Sequence, residues 1–197
     1  MLEGGAVHVD GEGTLLATES SILNANRNPT LDCRQVEEHL ALHLGVRKIL
    51  WLPHGLVDDE TDGHVDNVAC FADSARVICA VASERSDPNW TPLNENRARL
   101  AAMSDASGRR LELIDLPLPK PRSAAKGQLP LSYVNFYIAN GGLVMPAFDD
   151  PMDEAARRIL TDALPAREVV QVPALAIVQG GGGIHCITQQ QPRAEAT

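Results

Sequence analysis

Apolar and polar positions alternate over short stretches, recur every three to four residues, then alternate again, and this succession runs three times along the chain. Residues 6–9 and 14–18 read as two strands joined by the Gly11-Glu12-Gly13 turn. Residues 65–71 and 76–81 form a second pair across residues 72–74, and residues 133–138 and 143–147 a third across Asn140-Gly141-Gly142. A helical pattern follows each pair, its start marked by proline: Pro29, Pro92 behind Thr91, and Pro151 behind Asp150. Val36, Leu40 and Leu44 in the first helix, and Ala155, Ile159 and Ala163 in the third, stand four apart and make one apolar face. A short strand opening on arginine closes each unit, at residues 47–50, 110–113 and 167–170. The three prolines lie 63 and 59 residues apart, so the pattern predicts an α/β domain repeating hairpin, helix and strand. Residues 117–130, rich in proline, read as an insertion within that repeat, and residues 192–197 as a fraying tail.

Composition narrows the class. At 197 residues with 44% hydrophobic and 22% charged positions, the chain is long and apolar enough for one globular domain. A net charge of −9 excludes a phosphate-backbone binder, which needs clustered lysine and arginine, and suits a small cationic ligand. Cys33, Cys70, Cys79 and Cys186 show no Cys-x-x-Cys pairing, which favours neither a zinc framework nor a disulfide scaffold. With no run of about 18 apolar residues and no signal-peptide pattern, the expectation is a soluble, cytoplasmic protein without nucleic-acid or membrane partners.

Two segments carry candidate chemistry. Gly180-Gly181-Gly182-Gly183-Ile184-His185-Cys186 places a thiol after a glycine run, in what reads as a short apolar strand, where backbone can approach a ligand closely. Residues 58–67 crowd five acidic residues around His64. If Val65 opens a strand, His64 and Asp66 flank it on one face. An acidic loop capping a strand would account for the carboxylates, though not for the histidine. On the repeat, Glu3 precedes the first hairpin, His64 the second, and Cys186 stands where another would begin, at separations of 61 and 122 residues. In a pseudo-symmetric ring such positions converge on the axis.

Together these residues suit attack on a guanidinium. Cys186 as thiolate is the nucleophile, His64 the proton carrier, and Glu3 and Asp66 the acceptors for guanidinium N–H groups. Neither a metal nor a cofactor is required. A metal site built from His64, Asp66, His185 and Cys186 is the competing reading. His8, His39, His43 and His54 are expected to be surface or packing residues, and Cys33, Cys70 and Cys79 small apolar fillers. Trp51 is expected against the core and Trp90 in a loop, and strand alternation would turn His185 away from the Cys186 side.

At these residues the chain strongly resembles the agmatine deiminase family of the guanidino-modifying superfamily, which includes arginine and peptidylarginine deiminases. The matching stretches are Leu2-Glu3-Gly4-Gly5, His8-Val9-Asp10-Gly11-Glu12-Gly13-Thr14, Trp51-Leu52-Pro53, Asp59-Glu60-Thr61-Asp62-Gly63-His64-Val65-Asp66-Asn67, Tyr133-Val134-Asn135-Phe136-Tyr137 and residues 180–192. The resemblance implies a pentein fold, a five-bladed α/β propeller of which about three blades are present. They would fall at residues 3–63, 64–130 and 131–179 of a single incomplete domain, with 180–192 beginning the next. It implies hydrolysis of agmatine to N-carbamoylputrescine and ammonia in putrescine biosynthesis. Cys186 would form an amidino-cysteine intermediate, His64 would be the general acid/base, and Glu3 and Asp66 would orient the guanidinium. Two departures stand out. Gly183 replaces the family's usual asparagine and is expected to loosen the nucleophile loop. The earlier Trp-x-Arg-Asp-x-Gly-Pro segment, with another guanidinium-binding aspartate, is absent. An open propeller is expected to associate, as a homo-oligomer or with a complementing N-terminal half. The alternatives are a catalytically silent fragment acting by association and a deiminase of peptidyl arginine.

Overall fold

A computed structural model describes residues 1–124 and 127–191 of the chain. The elements are β1 (Val7–Val9), β2 (Thr14–Thr18), α1 (Glu19–Ile22), α2 (Cys33–Leu44), β3 (Lys48–Leu52), β4 (Ala69–Asp73), β5 (Arg76–Val81), α3 (Trp90–Ala101), β6 (Glu112–Pro117), β7 (Ser123–Ala124), β8 (Gly127–Gln128), β9 (Tyr137–Ala139), β10 (Gly142–Ala147), α4 (Asp153–Ala163), β11 (Glu168–Pro173) and α5 (Leu175–Gln179). Three sheets repeat one plan, in the orders β1-β2-β3, β4-β5-β6 and β9-β10-β11. Each pairs an antiparallel hairpin with a parallel third strand that returns after a helix.

The middle strand of the first sheet shows why these runs fold as they do. All five residues of β2 are buried, as expected of a strand covered on both faces. Leu15 and Ala17 pack with Val36 and Leu40 of α2, while Leu16 joins Leu50, Leu52, Val65 and Ile78 in the larger core. Each large aliphatic side chain fully removed from water contributes about 1.5–3 kcal/mol. Leu44, expected on the apolar face of α2, is instead 43% exposed, because it lies in the last turn, where the helix leaves the sheet.

Helix starts differ from the proline marks. Asp32 caps α2 by accepting the Gln35 N–H, and the Gln35 side chain returns to the Asp32 N–H, so the helix begins after Pro29, not at it. Pro92 falls on the third residue of α3, and Pro151 precedes α4 by two residues. Trp90, expected in a loop, opens α3, with the Arg85 guanidinium 5.1 Å from its ring centroid.

Three expected strand segments are not strands. Val65–Asn67 is a 3-10 turn with all three side chains buried, closed by the Val68 N–H on the Val65 carbonyl at 2.8 Å. Residues 133–136 form a buried turn whose Tyr133 hydroxyl donates to Asp153 at 2.6 Å. Residues 184–187, bearing Cys186, also turn, and the Thr188 N–H bonds the His185 carbonyl at 3.0 Å. Within the expected 117–130 insertion, β7 and β8 pair as a small hairpin, while Ala125 and Lys126 lie outside the described residues. The tail 192–197 is likewise outside them. Cys70 and Cys79 are buried, whereas Cys33, at the start of α2, is exposed and fills no core. None of the described helices is long and apolar enough to cross a membrane.

Candidate active site

Glu3 and His64 occupy equivalent places in the first two units, each one residue ahead of a 3-10 turn, Gly4–Ala6 and Val65–Asn67. The two turns touch, which turns the 61-residue spacing into proximity: His64 Nε2 lies 3.3 Å from Glu3 Oε2. Their approach depends on glycine. A Cβ on Gly5 would sit 2.5 Å from Asp66 Oδ2 and 2.7 Å from His64 Nδ1. The acidic loop before His64 is pinned by a second close approach, where a Cβ on Gly55 would fall 1.9 Å from the Gly63 Cα and Thr18 Oγ1 donates to the Gly63 carbonyl at 2.5 Å.

Asp66 is the hub. Its Oδ2 takes the His185 ring at Nδ1, 3.0 Å away, and the Cys186 thiol at 3.4 Å. The turn at 184–187 therefore brings His185 and Cys186 to the same carboxylate, against the alternation that would have separated them. The period-two argument for His64 and Asp66 also fails, since they bracket a 3-10 turn, yet both line one cavity with Glu3 and Cys186. That cavity, of about 890 Å³, is also lined by Asp58, Asp59, Glu60 and the glycine run, and among the described residues by no lysine or arginine. Asp66 is 2% exposed and its Oδ1 is buried without a hydrogen-bond partner among the described residues, as is His64 Nε2.

Two residues that the sequence patterns did not single out organise this site. Arg27, its side chain 8% exposed, holds Glu3 at both oxygens, Asp62 at 2.6 Å and the Thr61 carbonyl at 2.7 Å. Its hydrogen bonds keep the Glu3 carboxyl below the usual carboxylate range, helped by His64. Asn135 bonds the Cys186 sulfur at 3.3 Å and accepts the His185 N–H at 2.8 Å. Gly183, expected to loosen this loop, is buried, and a Cβ there would meet Asn135 Oδ1 at 2.1 Å; glycine is what admits the carboxamide. Cys186 is exposed as a residue, but desolvation around its sulfur, then the Asp66 charge, push the thiol up to about 11.

The remaining candidates fall elsewhere. His8 packs against Phe71 and its Nδ1 accepts the Phe71 N–H at 3.2 Å; burial lowers its pKa to about 4. His39 and His43 are exposed and stack on one another, and His54 pairs with Glu95. Trp51 packs beside the α2 core and donates to Glu37. The metal reading lacks support in the geometry: no group of three or more His, Cys, Asp or Glu among the described residues could hold a metal ion.

The sequence pattern of the Porphyromonas-type peptidyl-arginine deiminase family matches residues 1–192. The chain belongs to that family. Among curated relatives, the agmatine deiminases of Stutzerimonas stutzeri and Pseudomonas fluorescens are 47% and 45% identical over 98% of the chain. A solved agmatine deiminase of Enterococcus faecalis superposes with a TM-score of 0.92 at 36% identity, covering 96% of this chain and 57% of that one. An amidinotransferase of Microseira wollei, at 13% identity and a TM-score of 0.53, shares the fold alone. The chain spans 57% of the length of the two curated deiminases.

Proposed function

We propose that this chain carries the nucleophile, proton carrier and carboxylates of an agmatine deiminase. The observation that carries the reading is Asp66, which bridges His185 and Cys186 while keeping one buried oxygen unpartnered among the described residues, beside an acid-lined cavity. A guanidinium N–H supplies the missing partner, and the cation offsets the charge that disfavours thiolate. Substrate binding thus activates a nucleophile that stays protonated without the cation.

The Cys186 sulfur attacks the guanidinium carbon, forming a C–S bond. His64 protonates one terminal nitrogen, the C–N bond breaks, and ammonia leaves an amidino-cysteine. His64 then takes a proton from water, whose oxygen adds to the same carbon. As the hydroxyl proton passes to solvent, collapse breaks the C–S bond, releasing a ureido product and returning the thiolate. Glu3, beside His64 Nε2, orients and supports the imidazole and helps to hold the guanidinium. Glu60 lines the cavity and has no ion pair among the described residues, so it is free to take a distal ammonium. A cavity lined, among the described residues, by several carboxylates and by no lysine or arginine favours a dicationic amine such as agmatine over a substrate bearing a carboxylate. The product is N-carbamoylputrescine, a step toward putrescine.

The three sheet units are read as successive blades of a five-bladed propeller, near 3–63, 64–130 and 131–179, with 180–192 leading into the next. The longer relatives support that reading, with further chain completing the ring. The test is ammonia and N-carbamoylputrescine release from agmatine by the purified protein, beside Cys186→Ala and beside a blocked arginine peptide. Cys186-dependent turnover of agmatine supports the assignment. Preference for the peptide moves the substrate to peptidyl arginine, and turnover surviving in Cys186→Ala rejects the chemistry.

A further inference from the structure

A second, small cavity of about 30 Å³ shares Asp66 and His185 with the active site and is otherwise lined by His8, Gln190 and four apolar side chains. It is large enough for one water, which needs about 10–15 Å³ and two to four polar partners. His8 is anchored on its wall from one ring edge. β1 packs against β4, and His8 Nδ1 accepts the Phe71 N–H at 3.2 Å. An imidazole nitrogen that accepts carries no proton, so the neutral ring keeps its proton on Nε2. Desolvation, then the neighbouring His185, lower the His8 pKa to about 4 against the pull of Asp66, and the ring is therefore neutral at physiological pH. Nε2–H is a fixed donor that makes no hydrogen bond among the described residues. Asp66, on the same wall, is the matching acceptor: it is 2% exposed, and its Oδ1 has no partner among the described residues.

We propose that this small cavity binds one ordered water, which accepts the His8 Nε2–H and donates to the Asp66 carboxylate, and that His8 is a positioning residue acting on Asp66 through it. Gln190 offers the water a third partner. A carboxylate has about four acceptor sites. His185 and Cys186 use two of them at Oδ2, so the water and a guanidinium N–H from the main cavity can both be accommodated. A bridging water is nearly as good as a direct hydrogen bond and here adds a tether to a first unit otherwise distant in sequence. Held by that tether, the carboxylate keeps the plane in which one oxygen reaches both His185 and Cys186. The consequence for turnover rests on the deiminase reading; the water and its partners do not.

Two isosteres separate the edges of the ring, since an asparagine amide falls near the Nδ1 position and a glutamine amide near Nε2. His8→Asn keeps an acceptor for the Phe71 N–H and loses the donor to the cavity; His8→Gln does the reverse. Crystal structures of the full chain, at a resolution that shows ordered water, should place one water in hydrogen-bond contact with both His8 Nε2 and Asp66 in the wild type. The water should persist in His8→Gln and be lost or detached from Asp66 in His8→Asn. With agmatine, kcat should fall about tenfold in His8→Asn and less than about threefold in His8→Gln, with KM little changed. Thermal stability should rank the other way, His8→Gln below His8→Asn, because only the glutamine variant gives up the Phe71 bond. A dry cavity in the wild type, or a water that does not touch Asp66, would overturn the proposal, and this arm stands if neither variant folds. An unchanged kcat in His8→Asn, or kcat and stability falling together in the same variant, would also overturn it, since the latter marks a packing role. Absence of turnover in every form, wild type included, rejects the deiminase reading, and the position of the water then decides this one alone.

Discussion

Arg27 grips Glu3 through both carboxylate oxygens, Nε to Oε2 at 2.6 Å and Nη2 to Oε1 at 3.1 Å, and presents that carboxylate to His64. The fork geometry matters as much as the charge, because two parallel bonds fix the plane of the carboxylate. A lysine supplies charge without a plane. Arg27→Lys should therefore lower kcat by about 10- to 100-fold, with a smaller change in KM, since misplacing a reacting group by an ångström costs on this order. Arg27→Ala should also destabilise the fold by about 2 kcal/mol, because it strands Glu3 and Asp62 near one another. Urea unfolding beside steady-state kinetics separates the two effects; a kcat unchanged in Arg27→Lys would remove Arg27 from the mechanism.

Asp66→Asn separates reactivity from catalysis. The carboxylate, second to burial, raises the Cys186 thiol to about 11, so its removal should lower that midpoint. Alkylation of Cys186 at neutral pH should become faster while agmatine turnover falls by two or more orders of magnitude. The opposite signs are the signature, since a merely damaged site would lose both.

Gly183→Ala places a methyl where Asn135 Oδ1 now stands, 2.1 Å from the built Cβ position. The carboxamide must withdraw, so the variant should lose about 1–3 kcal/mol of stability and alkylate more slowly at Cys186. Thermal unfolding and the same alkylation assay check both; unchanged values would mean that the turn relaxes freely.

Much of this site was legible in the sequence, for a geometric reason. A repeat of sixty-odd residues places Glu3 and His64 at like positions, and like positions of neighbouring units meet. What failed was local. Period-two alternation was extended through Val65 and His185, where the backbone turns, so the route to Asp66 was wrong although the residue lines the cavity. Asp32 with Gln35 was a readable cap that the proline marks obscured. Arg27 carried no pattern of its own, and Asn135 lay within the matching 133–137 stretch with no role attached to it. Each acts through contacts between segments distant in the chain, with Arg27 reaching Asp62 and Asn135 reaching Cys186. Glu60 was one carboxylate among five until the structure showed Asp59 bonded to Thr61 and Asn67 and Asp62 bonded to Arg27.

The most direct test of the account is a covalent one. Protein mixed with agmatine, quenched in acid and digested, should yield a Cys186 peptide heavier by agmatine less ammonia. His64→Ala should yield none, because the leaving nitrogen lacks its proton. An adduct on the Cys186 peptide is the predicted result. Agmatine turnover with the carbon found on no cysteine, or on Cys33 alone, would contradict it.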